Sequence, residues 1–186
     1  MSNKLSPLFF VIYTSLCLVT SISQAVEIQY CFPVHPVEKA AFSEGGHSYP
    51  AIDIFGKRGS TFVAPVSGVV EDLQKNDEWD KKVSDPDKKG GKWVSLLGDD
   101  GFRYYGSHLE RVSEKIRVGQ HMQRGEILGY VGNSGNAKDT PTHLHFGISS
   151  ASTPYSWKTR RGEIAPYHFL QCILREGCNP QTMLPL

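Results

Sequence analysis

The chain contains 186 residues, of which 20 are lysine or arginine, 19 are aspartate or glutamate and 7 are histidine. This balance gives no support for nucleic-acid binding, which usually requires a basic patch or stripe. A chain of this length can bury about two-thirds of its unfolded surface in one domain, so we expect a single globular unit.

Residues 1–25 have the features of a secretory signal peptide. Lys4 provides a positive charge, residues 8–19 form a short apolar run, and residues 23–25 include small side chains at the cleavage position. The apolar run is shorter than the roughly 20 residues that span a bilayer. We therefore expect cleavage after residue 25 and no membrane span in the remaining chain. The expected product is a secreted or periplasmic protein with a single domain over residues 26–186.

Three cysteines remain in the predicted mature chain: Cys31, Cys172 and Cys178. In an oxidising compartment, an odd number predicts one disulfide and one free thiol. Pairing of Cys31 with either of the others would join the two ends of the chain, whereas a Cys172–Cys178 pair would close a local loop. The sequence leaves both arrangements open.

Most of the chain is predicted to form short β-strands, because apolar and β-branched runs alternate with turns rich in Gly, Asp and Asn. These runs occupy residues 62–73, 92–97, 102–108, 127–131 and 143–148. The best helix signal lies at 165–174, with Pro166 in its first turn and Gly177 beyond its end. We therefore expect a mainly β domain built from antiparallel strands.

Asp53 lies between two isoleucines, Ile52 and Ile54. On an extended strand, alternation would bury both isoleucines and leave the carboxylate on the opposite face. His47 lies six residues earlier, which is an even offset, although Pro50 argues against a regular strand through that gap. Asp53 and His47 are therefore candidate metal ligands.

The segment 141–147 contains two histidines one residue apart. On an extended strand, His143 and His145 would project from the same face with Cα atoms roughly 6.6 Å apart. One ring could bind a metal ion while the other handles a proton beside it. Together with His47 and Asp53, they can supply a two-histidine, one-carboxylate set. Such a set is typical of catalytic zinc rather than of structural zinc, which favours cysteine.

A further histidine follows the turn at 98–101. The run 102–108 is predicted to be the returning strand of a β-hairpin that ends near His108. The sequence gives no reason to place the remaining histidines of the mature chain in a site: His35, His121 and His168.

Taken in order, these elements resemble a known family. His47 to Asp53, the segment 105–109 and His143-Leu144-His145 are similar to the motifs of lysostaphin-type (LytM-like) zinc metallopeptidases, which cut peptidoglycan cross-links. The connecting sequence also resembles that family, at residues 59–70, 118–120 and 125–132. The resemblance covers about residues 47–148, which is most of the predicted mature chain.

The resemblance implies one zinc ion held by His47, Asp53 and His145, with His108 and His143 as non-ligand histidines beside it. It also implies a mainly β, antiparallel fold of the lysostaphin/LytM type, a duplicated hybrid motif similar to a barrel-sandwich, with an open groove. One spacing differs from the family. The first motif commonly has four residues from His to Asp, whereas the offset here is six, with Tyr49 at the four-residue position. We interpret this segment as a variant that loops His47 back to the metal.

The resemblance also suggests a use for the charged run 71–89. Its mixture of signs predicts an exposed loop between two strands, but in the family such loops form a wall of the substrate groove. Trp79, Tyr104 and Tyr105 could then contact substrate, although packing in the core is the simpler expectation for aromatic side chains.

The implied function is that of a secreted zinc metalloendopeptidase, which hydrolyses amide bonds in peptidoglycan stem peptides or cross-bridges by means of a metal-activated water. We expect His143 to act as the base and His108 as the oxyanion or substrate donor, but the sequence leaves this division open. The expected partners are peptidoglycan peptides, without nucleic acid, and the expected state is a monomer.

A different class of function is compatible with the same fold. Relatives can serve as non-catalytic zinc-binding or hydrolase-activating modules, which often lack a ligand or a histidine of the set, and none is missing here. The sequence does not determine whether a D-Ala–diaminopimelate cross-link or a glycine bridge is cut. It also leaves open whether the target is the cell's own wall or that of rival cells.

Overall fold

The computed structural model describes residues 27–185. The predicted signal peptide, residues 1–25, lies outside the described residues. Within residues 27–185, none of the helices is both long and apolar enough to cross a membrane.

The regular structure of residues 27–185 is dominated by strands. In chain order they are β1 Val34–His35, β2 Ile52–Phe55, β3 Thr61–Val63, β4 Gly68–Gln74, β5 Trp93–Gly98, β6 Phe102–Ser107, β7 Leu109–Val112, β8 His121–Met122, β9 Ile127–Val131 and β10 His143–Ser150. The α-helices are α1 Trp157–Arg160 and α2 Tyr167–Ile173. Short 3₁₀ turns lie at Val37–Lys39, Pro86–Lys88, Gly135–Ala137 and Pro180–Met183.

The strands form two antiparallel sheets. One sheet has the order β1-β3-β9-β7, and the other has the order β2-β10-β6-β5-β4-β8. The 8-residue strand β10 lies between β2 and β6, so its backbone is hydrogen-bonded on both sides. This architecture confirms the predicted mainly β, antiparallel fold class.

The two sheets share one apolar core. Alternate side chains of a strand point to opposite faces, so each strand contributes every second residue to the space between the sheets. The buried residues include Val34, Phe62, Leu128 and Val131 of the four-stranded sheet and Ile54, Val70, Leu96, Leu144 and Phe146 of the six-stranded sheet. The opposite face of the six-stranded sheet is therefore available to polar side chains.

The predicted strand over 62–73 is divided in the structure. Its first part belongs to β3, Thr61–Val63, and its second part belongs to β4, Gly68–Gln74, in the other sheet. Pro65 lies in the connection, and it lacks the N–H that a continuous strand would need at that position. The chain thus crosses between the sheets in the middle of an apolar run.

The predicted helix at 165–174 is confirmed as α2, Tyr167–Ile173. Pro166 lies at the N-cap rather than in the first turn, and Gly177 lies beyond the helix end with a φ of +73°. The sequence does not predict α1, because a helix of 4 residues is too short to show apolar periodicity. A capping box between Ser156 and Thr159 stabilises it instead.

The sequence leaves two disulfide arrangements open, and the structure contains the local one. Cys172 and Cys178 are bonded to each other, and among the cysteines of residues 27–185 only Cys31 is a free thiol. The bond ties the end of α2 to the segment that follows it, and it does not join the two ends of the chain. Cys31 Sγ lies 3.3 Å from the carbonyl oxygen of Ala64, and burial raises the pKa of its thiol.

We expect the oxidised mature protein to give a peptide linked through Cys172 and Cys178 and a Cys31 that reacts with iodoacetamide after denaturation. Peptide mass mapping without reductant checks this. Cys31→Ser should leave the disulfide unchanged, whereas Cys172→Ser should raise the thiol count to two. A bridge from Cys31 within one molecule would contradict the pairing.

Gly106 in β6 permits close packing between the sheets. A Cβ atom added there would lie 2.5 Å from Phe62 Cε1 and 2.9 Å from Leu144 Cδ1. Both side chains are fully buried, so neither can move without displacing its own neighbours in the core. The glycine in the segment 105–109 therefore has a packing role.

Gly106→Ala should lower the free energy of unfolding by about 1–3 kcal/mol, because the added methyl overpacks the core. Urea denaturation of the parent and the variant measures this change. Gly56→Ala is the matched control, because a Cβ there meets no atom closer than 3.6 Å. Equal stability of Gly106→Ala and Gly56→Ala would show that the sheets can separate slightly at this point.

Candidate metal centre and groove

Asp53 and His145 are direct neighbours across two strands. The antiparallel pairing of β2 with β10 places them opposite each other, and Asp53 Oδ1 lies 3.1 Å from His145 Nδ1. Ile52 and Ile54 are buried on the other face of β2. The predicted alternation around Asp53 is therefore confirmed.

His47 reaches the same point from the irregular segment before β2. Its Nε2 lies 2.9 Å from Asp53 Oδ1, and its ring centroid is 4.7 Å from that of His145. Tyr49, at the four-residue position of the motif, packs its ring 5.2 Å from His47 and 5.8 Å from His145. This geometry agrees with a longer segment that loops His47 back toward Asp53, and it makes Tyr49 part of the surrounding wall.

The chemistry of this donor set fits a divalent cation. One ligand atom each from His47, Asp53 and His145 lies within 4.8 Å of the others. His145 Nε2 faces the Arg161 carbonyl oxygen at 3.1 Å, while Nδ1 faces the Asp53 carboxylate. A neutral imidazole has one N–H and can satisfy only one of these two acceptors. A cation bound by both Nδ1 and the carboxylate satisfies the other side, and zinc takes these ligands.

Asp53 is ionised in this environment. Burial alone would raise its pKa, but hydrogen bonds from His145 and His47, together with the nearby His143, hold the pKa well below its ordinary value. A carboxylate must be deprotonated to bind a metal. Asp53 therefore has the charge state that a ligand needs at neutral pH.

His108 and His143 are oriented alike. Each donates its Nδ1–H to a backbone carbonyl, His108 to Ser134 at 2.9 Å and His143 to Pro141 at 2.8 Å. Their ring centroids are 5.0 Å apart, and that of His108 is 5.9 Å from that of His145. A neutral ring in this tautomer accepts a proton at Nε2, and it can donate from Nε2 only after gaining one.

His108 lies where the chain passes from β6 of one sheet to β7 of the other. Its φ is +64°, a left-handed conformation that costs a non-glycine residue about 1–2 kcal/mol. Its backbone N–H donates to the carbonyl of Gly90, in the loop between β4 and β5, at 2.9 Å. Its ring donates to Ser134, in the loop between β9 and β10, so both loops hold the residue. Burial, and then repulsion from His145 and His143, lowers the pKa of His108 to about 3, so the ring is neutral at pH 7.

A groove surrounds these five residues, and three further segments form its walls. They are the end of the charged loop between β4 and β5, the loop between β9 and β10, and the region of α1. The residues they contribute are Pro86, Asp87, Lys89 and Gly90; Asn136, Ala137 and Thr140; and Trp157, Arg160 and Arg161. The charged run 71–89 is thus mainly an exposed loop, and its last residues form one wall.

The three aromatic residues singled out in the sequence have different positions. Tyr105 is buried and lines the groove, whereas Tyr104 is fully buried in the core. Trp79 is not among the residues that line the groove. The expectation of core packing therefore holds for Tyr104, and contact with a ligand remains available to Tyr105.

Sequence reasoning misses the α1 contribution. Arg160 and Arg161 lie outside the motifs, and the folding of α1 against β10 and β6 brings them to the groove. The one local signal is the run of Trp157 and basic residues after a predicted strand. Such a run, taken alone, is also compatible with an ordinary exposed surface.

Comparison with known proteins identifies the family. Residues 47–157 match the sequence model of peptidase family M23, which is more than half of the chain and includes all five site residues. The chain belongs to peptidase family M23. The resemblance to lysostaphin-type (LytM-like) peptidases is thereby confirmed.

One curated relative of this M23 protein is the L-Ala--D-Glu endopeptidase of Bacillus subtilis (strain 168). The two are 25% identical over 118 residues, which is 61% of this chain and 33% of the relative. The chain thus spans about a third of the length of that relative.

Two solved structures illustrate the fold. The catalytic domain of lysostaphin from Staphylococcus simulans matches with a TM-score of 0.55 and 24% identity, covering 72% of this chain and 94% of that domain. A zinc containing peptidase from Vibrio cholerae matches with a TM-score of 0.53 and 16% identity, covering 70% of this chain and 40% of its own. At these identities the likeness concerns the fold alone.

We expect residues 26–186 to bind one zinc ion per molecule. His145→Ala should weaken zinc binding by more than about 100-fold, because loss of an outer-shell partner alone typically weakens it by 10–100-fold. Competition against a chromogenic chelator measures the affinity, and elemental analysis measures the stoichiometry.

The matched control is His168→Ala, which removes an exposed histidine that does not line the groove. This variant should bind zinc as the parent does. Equal zinc affinity of His145→Ala and the parent would exclude His145 as a ligand.

Proposed function

We propose that this M23 protein is an exported zinc metalloendopeptidase that hydrolyses amide bonds in peptidoglycan stem peptides or cross-bridges. The observation that carries the proposal is the convergence of a two-histidine, one-carboxylate donor set with two further histidines in one groove. Family membership and the named activity of the Bacillus subtilis relative support the same reaction. The signal-peptide features of residues 1–25 support a secreted or periplasmic location.

His47, Asp53 and His145 would hold the zinc ion. When bound, zinc would supply a Lewis acid that polarises the scissile carbonyl and would lower the pKa of the attacking water toward neutrality. The Arg161 carbonyl keeps the His145 ring oriented by accepting its Nε2–H, which leaves Nδ1 as the ligand atom.

His143 is assigned as the base. The Pro141 carbonyl holds its Nδ1–H, so Nε2 is the nitrogen that can accept a proton from the attacking water and return it to the leaving amine. His143 Nε2 lies 3.8 Å from Asp53 Oδ2, and a carboxylate at this distance stabilises the ring once it is protonated.

His108 is assigned to the oxyanion or substrate side of the groove. The Ser134 carbonyl holds its Nδ1–H, so Nε2 is the nitrogen that remains for contact with substrate. A hydrogen bond from His108 to an oxyanion requires Nε2 to gain a proton first. Since both rings have the same tautomer, only separate variants distinguish their roles.

The presence of both non-ligand histidines favours an enzyme over a zinc-binding or hydrolase-activating module. A binding module needs the ligands at most, and has no use for two further imidazoles fixed by backbone carbonyls. His108 also has a left-handed backbone conformation that glycine would adopt at lower cost, so backbone geometry does not explain the presence of a histidine there.

The zinc-loaded mature chain should release shorter peptides from cross-linked sacculi. Mass analysis of defined muropeptides before and after digestion would identify the bond that is cut. A chelator should abolish the release, and added zinc should restore it. Failure of the zinc-loaded protein to release any product from sacculi of several chemotypes would contradict the proposal.

In the same assay, His143→Ala should bind zinc as the parent does but lower kcat by about 10²–10⁴-fold, the usual contribution of a general base. His108→Ala is measured in parallel, and His168→Ala is the control. Full activity of His143→Ala would refute its assignment. If His108→Ala alone shows the loss, the base is His108.

A further inference from the structure

Arg161 borders the groove beyond the part of the chain that matches the family. The match ends at residue 157, and Arg161 follows α1 directly. Its guanidinium carbon lies 4.0 Å from the ring centroid of Tyr49 and 4.9 Å from that of Trp157. Tyr49 in turn packs 5.8 Å from the ring of His145. One aromatic ring therefore separates this cation from a candidate zinc ligand.

Contacts on several sides fix the backbone of Arg161. Its carbonyl oxygen lies 3.1 Å from His145 Nε2 and would accept the Nε2–H when Nδ1 binds a cation. A Cβ atom at Gly147 in β10 would collide with this carbonyl, and one at Gly162 would collide with the carbonyl of Pro50. Gly147 permits a close approach of this segment to β10, and Gly162 permits a close approach to Pro50, so the Arg161 side chain starts from a defined point beside the donor set.

The charges that line the groove do not balance. Arg160 is paired with Asp87, with 2.7 Å between Nη2 and Oδ1, and Asp53 faces the histidines. Within residues 27–185, Arg161 and Lys89 have no carboxylate within the 4.0 Å that defines an ion pair. The groove lining thus contains two positive side chains without an acidic partner.

We propose that Arg161 is a specificity-determining residue that binds a free carboxylate of the substrate, within about three extended residues of the scissile amide. A guanidinium binds a carboxylate through two parallel hydrogen bonds, and stacking on Tyr49 and Trp157 orders it before substrate arrives. This proposal rests on the endopeptidase function and narrows it. The preferred substrates are stem peptides with a free carboxylate near the cut bond, and neutral glycine bridges are poorer substrates.

Three substrates test the proposal with the full mature chain. The first is a muropeptide dimer joined by a D-Ala–diaminopimelate bond, with the carboxylate beside that bond free. The second is the same dimer with this carboxylate amidated, and the third is a neutral pentaglycine peptide. The variants are Arg161→Gln, Arg161→Lys and, as a matched control, Arg117→Gln, which removes an exposed arginine outside the groove.

The parent should show a KM about 10–100-fold lower for the free dimer than for the amidated dimer, the range expected of a charge-assisted hydrogen bond. Arg161→Gln should raise the KM of the free dimer by that factor and leave the amidated dimer unchanged. Arg161→Lys should retain part of the difference, because it keeps the charge but loses the planar fork. Arg117→Gln should match the parent.

Two outcomes would overturn the proposal. In the first, Arg161→Gln lowers kcat/KM equally for the free and amidated dimers, which would indicate a structural role only. In the second, the parent cleaves pentaglycine as well as it cleaves the free dimer. The zinc content of Arg161→Gln should equal that of the parent, because the substitution leaves the Arg161 carbonyl in place. Its thermal unfolding should change only by the loss of stacking on Tyr49 and Trp157.

A binding measurement separates this proposal from the proposed function. Calorimetric titration of the free and amidated dimers uses His143→Ala, with and without Arg161→Gln, because this variant should slow turnover by about 10²–10⁴-fold. A preference for the free dimer that disappears with Arg161→Gln supports carboxylate recognition even if the parent cleaves nothing. Equal affinities in every combination overturn it even if the parent is an active peptidase.

Discussion

The pairing of β2 with β10 determines the position of the candidate metal centre. Asp53 and His145 meet because they occupy opposite places in one register. A slip of one residue would turn every side chain of one strand to the other face. The register is held by the core, since Ile54 and Leu144 are paired partners and both are fully buried. Burying such a side chain typically contributes about 1.5–3 kcal/mol. Apolar packing on one face thus fixes the geometry of the candidate metal ligands on the other.

The walls of the groove come from loops and α1 and not from the strands. The charged loop after β4 is tied to the loop before β10 by Asp77, whose carboxylate accepts the Gly135 N–H at 3.1 Å. On the other side, Arg160 of α1 bonds both the carbonyl and the carboxylate of Asp87. A few polar contacts therefore hold together walls that come from distant parts of the sequence. These polar contacts fix the shape of the groove, whereas the sheet fixes the position of the candidate metal centre within it.

The features that the sequence predicts are those with a local cause. Alternation around Asp53 and between His143 and His145 indicates which face each side chain takes, and α2 has recognisable ends. The division of 62–73 is not evident from apolar pattern alone, because both halves are buried strands. The position of Arg161 depends on the long-range packing of its carbonyl against Gly147 and of Gly162 against Pro50, which leaves no periodic signal in the sequence. The packing role of Gly106 cannot be predicted from the sequence either, because its close neighbour Phe62 belongs to the other sheet.

The backbone at position 108 has a consequence for how sequences of this kind can vary. Glycine adopts a positive φ without steric cost, so glycine at position 108 would remove the backbone strain where the chain passes between the two sheets. It would also remove an imidazole from the groove. A relaxed backbone and an imidazole in the groove are therefore opposed at this single residue. A chain that keeps the histidine keeps a strained backbone where it passes from one sheet to the other.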